Sequence, residues 1–282
     1  MSFLKNILIL LSISPFFACF SHEESFLDPV IVQLPEMNGA QMKKWALDEV
    51  HLECTSWRVA VEANNLSPWE TIPEECGDYV QEYMTGKGYG IDLQRVSNEA
   101  AIYAKSVNLS GDGKDAWVFD VDETLISNLP YYHHHGYGLE IFDSTKFDEW
   151  VETGMAPAIE PSLKLYEEVL NLGFKVILLT GRSERHRSIT VENLSRAGFR
   201  EWEKLILRSS EDHAKTALQY KSDKRDELVG EGYRIMGNSG DQWSDLLGSS
   251  VSERSFKLSN PIDMPAVRTS NQKFDSNFGR GQ

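Results

Sequence analysis

Ala116-Trp117-Val118-Phe119-Asp120-Val121-Asp122-Glu123-Thr124 is the stretch that decides the fold. Its first four residues are apolar without interruption, as in a strand buried on both faces of a parallel sheet. The strand then ends abruptly on an acid. Similar apolar runs recur at Lys175-Val176-Ile177-Leu178-Leu179, Leu205-Ile206-Leu207, Tyr233-Arg234-Ile235-Met236 and Arg254-Ser255-Phe256-Lys257-Leu258. Helical periodicity fills the intervals: Pro161 to Leu172, Ser183 to Ala197, His213 to Glu231 and Gln242 to Leu247. Strands alternating with helices predict an α/β protein with a doubly wound parallel sheet.

In such sheets ligands bind beyond the carboxyl ends of the strands. The first strand is followed by Asp120-Val121-Asp122-Glu123-Thr124, the second by Thr180-Gly181-Arg182, and the fourth by Asn238-Ser239-Gly240-Asp241-Gln242-Trp243-Ser244-Asp245. These polar groups are predicted to converge at one sheet edge. Together they suit phosphoryl transfer. One carboxylate can attack phosphorus. A second, two residues on, can protonate the leaving oxygen and then activate water. Carboxylates this close repel one another and an anionic substrate, and a hard divalent cation such as Mg²⁺ resolves that conflict. A lysine ahead of the fourth strand adds a point charge for phosphate; Lys215 and Lys221 both qualify. Simpler readings exist for single members. Thr180 suits a helix N-cap, Arg182 a structural salt bridge, and Asp245 the first turn of a helix.

Taken together, Trp117 to Leu125, Leu179-Thr180-Gly181-Arg182 and Gly237 to Gly248 resemble the motifs of the haloacid dehalogenase-like phosphatases. With Trp57 to Asn65 and Asn128-Leu129-Pro130-Tyr131-Tyr132, the resemblance narrows to the plant acid phosphatase and vegetative storage protein family, related to class B acid phosphatases. It extends over nearly the whole chain to about Pro261. It implies a Rossmann-like core with a mainly helical N-terminal lid. It implies Asp120 as nucleophile and Asp122 as general acid/base, with Thr180 and Lys221 on the phosphate. Lys221 is preferred to Lys215 for its Tyr220-Lys221-Ser222 setting. Asp120, Asp241, Asp245 and Asp122, the last through its backbone carbonyl, would hold Mg²⁺. The function implied is acid hydrolysis of phosphate monoesters through an aspartyl-phosphate. The alternative is a storage protein of the same fold with little or no activity.

The remaining residues set the context. The chain has 282 residues and a net charge of −15, a surface that repels nucleic acid and anionic membranes. The expected partner is a small phosphate monoester; dimers are known for such folds, which leaves a homodimer open. Residues 1–21 read as a signal peptide, since the apolar stretch Ile7 to Phe17 is too short to span a bilayer and turns sharply polar. A secreted protein, extracellular or vacuolar, is expected. Cys54 and Cys76, an even pair in a secreted chain, are then expected to form a disulfide, with two buried thiols as the alternative. Residues 22–110 read as helical and 111–262 as the catalytic core. Residues 127–157 read as a small cap insertion and 263–282 as a flexible tail. Gly86 to Gly90 reads as a linker. The run His133-His134-His135 reads as cap surface, because three consecutive residues cannot all face one ion. Tyr131 and Tyr132 are expected at the substrate mouth. Of the sequons at Asn65, Asn108 and Asn193, Asn108 suits glycosylation best.

Overall fold

Five parallel strands form one sheet in the order β3-β2-β1-β4-β5. They are β1 (Asp115–Phe119), β2 (Lys175–Ser183), β3 (Lys204–Arg208), β4 (Arg234–Gly240) and β5 (Arg254–Lys257) in a computed structural model. The structure describes residues 39–262, with side chains from 49 onward. The residues read as a signal peptide and those read as a tail fall outside the described residues. Met1–Met42 separate from Lys43 onward by contact, and the architecture given is that of the larger unit.

β1 is central, and its side chains divide the core as the period of a strand requires. Trp117 and Phe119, with Val176, Leu178 and Phe256, face α3 (Lys87–Ser106), α6 (Glu160–Leu172) and α7 (Arg187–Arg196). Ala116 and Val118, with Ile177, Leu179 and Ile235, face Tyr220 and Leu228 of α8 (Ala217–Gly230). Helices cover both faces, so the buried strands carry no polar alternation. Each large residue stabilises the core by about 1.5–3 kcal/mol on burial. Gly237 is required by this packing, because a Cβ there would lie 2.4 Å from the Trp117 ring.

The helices before β1 are α1 (Gly39–Glu62), α2 (Gly77–Thr85) and α3. A disulfide joins Cys54 of α1 to Cys76, with Cα atoms 5.4 Å apart. These helices enclose a second core with α4 (Leu129–His134) and the chain after β5. Val50 of α1 is exposed. Gly86 to Gly90 is not a linker. The chain breaks only at Gly86, which is extended, and α3 begins at Lys87. Gly88 lets α3 approach Tyr83, whose ring would lie 2.9 Å from an added Cβ, and Tyr89 turns inward. Tertiary packing thus overrides the poor helix propensity of glycine.

Between β1 and β2 lie α4, α5 (Ser144–Thr153) and α6. Tyr131 and Tyr132 are buried there against each other, with Tyr131 also against Phe147. In the histidine run, His133 Nδ1 meets Tyr137 Oη at 2.8 Å and His135 Nδ1 meets Glu140 at 2.9 Å. No three-ligand metal cluster includes these histidines among the described residues. Asn193 is buried and donates to the Ala156 carbonyl, whereas Asn108 is exposed in the loop before β1. No helix among the described residues is long and apolar enough to cross a membrane.

Candidate active site

The chain runs outward from β1 through β2 to β3, then returns to the other side of β1 with β4. The crevice between β1 and β4 is therefore the topological switch point, where such sheets bind ligands. Phe119 pairs with Ser239, and the Asp120 N–H donates to the Ser239 carbonyl at 3.0 Å. This register sets Asp120 beside Asp241, although 121 positions separate them in sequence. Thr180-Gly181-Arg182 lies within β2 rather than after it, and Asn238 to Gly240 lies within β4. The strands are longer than their apolar runs because the neighbouring ladders continue through these polar residues.

After Asp120 the backbone turns tightly. Leu125 N–H and Ile126 N–H both return to the Val121 carbonyl, and Glu123 adopts φ +52°. That left-handed conformation is disfavoured for glutamate. The buried Glu123 carboxylate secures it by accepting from the Asn128 N–H and from Tyr89 Oη of α3 at 3.1 Å.

Asp120, Asp241 and Asp245 offer carboxylate oxygens within 4.8 Å of one another, all three buried. Lys221 Nζ bridges two of them, donating to Asp120 Oδ1 at 2.5 Å and to Asp245 Oδ1. Lys215 points elsewhere and pairs with Asp212 and Asp223. Burial pushes Asp120 well above the usual Asp range, Lys221 opposes this, and Asp245 and Asp241 add to it. Burial, then Asp245, push Asp241 up to about 6. Burial alone would lower the Lys221 ammonium, but Asp120 and Asp245 outweigh it and raise it. Three buried carboxylates against one lysine leave two negative charges without a counter-charge. Hard oxygen donors with a twofold charge deficit fit a divalent cation.

Asp122 is in a different setting. Arg182 Nε donates to both its oxygens, at 3.1 and 3.0 Å, and Arg182 Nη2 to Oδ1 at 2.8 Å. Asn128 Nδ2 adds a bond of 3.0 Å, and Thr180 Oγ1 stands 3.4 Å away. Burial would raise this carboxyl, but the Arg182 charge and hydrogen bonds hold it below the ordinary Asp value. Arg182, read from sequence as at most a structural ion pair, is thus a buried partner of the site. The Trp150 indole, which can only donate, binds Asn128 Oδ1 at 2.9 Å and so turns the Asn128 amide nitrogen toward Asp122.

The supporting residues explain the motifs. Thr124 Oγ1 donates to Asp241 Oδ1 and accepts from the Asp241 N–H, both at 3.1 Å. The Gln242 N–H donates to Asp245 Oδ2 at 2.9 Å, closing a capping box at α9 (Trp243–Leu246). Gly240 gives Asp245 room, since an added Cβ would lie 2.5 Å from the Asp245 Cβ. Fully buried Arg225 donates to the Asp245 carbonyl at 2.6 Å and to that of Leu247.

Fold and site together define a doubly wound α/β protein whose carboxylates and lysine meet at the switch point. The chain belongs to the HAD superfamily, subfamily IIIB (acid phosphatase), whose family model matches residues 40–264. It is 65% identical over 237 residues to Acid phosphatase 1 of Solanum lycopersicum, covering 84% of this chain and 89% of that one. It is 37% identical over 254 residues to Vegetative storage protein 1 of Arabidopsis thaliana, covering 87% and 93%. Among solved structures, the class C acid phosphatase from Bacillus anthracis shares the fold, with a TM-score of 0.55 at 20% identity over 65% of this chain and 83% of that one.

Proposed function

We propose that this acid phosphatase hydrolyses small phosphate monoesters through an aspartyl-phosphate on Asp120, with Mg²⁺ in the carboxylate cluster. The observation that carries the reading is Lys221, buried and bridging Asp120 and Asp245 beside Asp241. A lysine so placed neutralises phosphate while leaving a carboxylate within reach of phosphorus.

In the first step an Asp120 oxygen bonds to phosphorus, the ester P–O bond breaks, and Asp122 gives its proton to the departing alcohol oxygen. In the second, a water oxygen attacks phosphorus while Asp122 takes its proton. The P–O bond to Asp120 breaks, phosphate leaves, and both aspartates are restored. Thr180 and Lys221 bind phosphoryl oxygens. Asp120, Asp241, Asp245 and the Asp122 carbonyl would hold the cation, which supplies charge neutralisation to the phosphate when bound. Helices α1 to α3 and the α4–α5 insertion serve as the lid.

Asp122 must be protonated for the first step, yet Arg182 depresses its pKa. Its acid form therefore gains as pH falls, which gives an acid optimum; a rate that climbs toward high pH contradicts this. Storage is a second reading, carried by the likeness to Vegetative storage protein 1; the presence of Asp120 favours turnover. Secretion, with the Cys54–Cys76 disulfide forming in an oxidising compartment, fits either role. The deciding comparison is wild type against Asp120→Asn on an aryl phosphate with Mg²⁺. Loss of turnover and of acid-quenched phosphoenzyme is expected, and equal rates sink the mechanism.

A further inference from the structure

The last residue of α1 is joined to the carboxylate cluster by a chain of hydrogen bonds through the segment that follows β5. Glu62 Oε1 accepts from the Asn260 N–H at 2.8 Å and from Ser259 Oγ at 2.7 Å. Its other oxygen accepts from Lys257 Nζ at 2.8 Å. Asn260 is buried, and its Nδ2 donates to Asp241 Oδ2 at 2.8 Å. The Ile262 N–H donates to Asn260 Oδ1 at 3.2 Å. A backbone N–H can only donate, so this bond fixes which end of the amide faces Asp241. The Glu62 carbonyl also accepts from the indole of Trp243, two residues beyond Asp241, at 3.0 Å. Glu62 thus grips the chain at two places after Asp241, at Trp243 and at Lys257 to Asn260.

Each oxygen of Asp241 is consequently held. Thr124 takes Oδ1, and Asn260 takes Oδ2 together with Gln242 Nε2 at 3.2 Å. Outer hydrogen bonds of this kind fix the orientation of a ligating carboxylate, and losing one lowers metal affinity by about 10–100-fold. The segment Leu258 to Ile262, after β5, has little regular structure of its own. The Glu62 carboxylate supplies its missing partners. Glu62 is held in turn, since α1 is tied by the Cys54–Cys76 disulfide and by Arg58, which donates to Tyr79 Oη at 3.0 Å and pairs with Asp92 at 3.2 Å.

We propose that Glu62 is a positioning residue for the cation site, acting on Asp241 through Asn260. The N-terminal helix then does more than cover the substrate; it completes the shell behind a cation ligand. The inference rests on the reading of Asp120, Asp241 and Asp245 as a divalent-cation site. Its test is Mg²⁺ binding by titration calorimetry to wild type, Glu62→Gln, Glu62→Ala, Asn260→Ala and the double Glu62→Ala/Asn260→Ala protein. Near-UV circular dichroism in EDTA selects the variants that keep the native fold, and Glu62→Gln preserves side-chain shape if Glu62→Ala does not. Each single variant should bind Mg²⁺ at least about tenfold more weakly. The double variant should be no weaker than Asn260→Ala, because the two residues act in series. Folded variants that bind Mg²⁺ within twofold of wild type, or losses that multiply in the double variant, overturn the proposal. Absence of Mg²⁺ binding by wild type overturns the cation reading itself, a distinct result.

Discussion

Replacing Asp241 by Asn in the cation-free protein alters how stability depends on pH, by an amount the structure sets. Asp241 is raised from 3.8 to about 6 by burial and by Asp245. Between those values the folded chain keeps a proton that the unfolded chain has released. The unfolded state binds fewer protons there, so stability falls as pH rises through the window. At about 1.4 kcal/mol per pH unit, the loss amounts to about 3 kcal/mol. Asparagine has no proton to release. Its oxygen still accepts from Asn260, and the Thr124 hydroxyl can turn to accept from its amide nitrogen, so the shape is kept. Thermal melts in EDTA at pH 4, 5, 6 and 7 should show wild type losing about 6–12 °C relative to Asp241→Asn across the range. Comparing the two proteins cancels the titrations of groups outside the carboxylate cluster. Mg²⁺ at a hundredfold over its Kd should return about 2.7 kcal/mol to wild type. A difference between the proteins that stays flat with pH, or grows in the opposite sense, refutes the charge-deficit account of the site.

Three further outcomes follow from the same geometry. Arg182→Met removes the charge that depresses Asp122, so the alkaline limb of the kcat/KM profile should move to higher pH; an unmoved limb excludes Asp122 as the acid or Arg182 as its partner. Gly240→Ala sets a methyl 2.5 Å from the Asp245 Cβ, and calorimetry should record Mg²⁺ affinity reduced about tenfold or more. Reduction of Cys54–Cys76 opens a loop with a sequence separation of 22; denaturant melts with and without reductant should differ by about 3 kcal/mol.

The parts of the site legible in the sequence are those tied to a local pattern. Asp120 and Asp241 read as strand-end residues because buried strands announce themselves as apolar runs, and parallel topology aligns their carboxyl ends; Thr180 lies inside β2 instead. Lys221 was favoured over Lys215 by its flanking residues, and the structure sets Lys221 against Asp120. Residues that act through a distant partner carry no local sign of that partner. Arg182 reaches Asp122 across 60 positions and Glu62 reaches Asn260 across 198. Both lie in stretches that carry the family resemblance, but neither has a periodicity or spacing that names its partner. The Gly86 to Gly90 misreading has the same origin. Propensity marks glycine as a breaker, and only the neighbouring Tyr83 ring shows why a helix begins there.

The pairing of β1 with β4 has a consequence for how the chain reaches its native state. It joins residues more than a hundred positions apart, the kind of contact that closes a long loop and sets a slow folding step. The same event gathers three carboxylates that repel one another. Topology and charge therefore place their penalties on the same pairing. A divalent cation in the proposed site would bind only the docked arrangement, so its concentration would govern how long the two halves of the sheet stay together. The ion that serves turnover would also act as a folding ligand, and Mg²⁺-dependent undocking rates in stopped-flow unfolding are the measure of it.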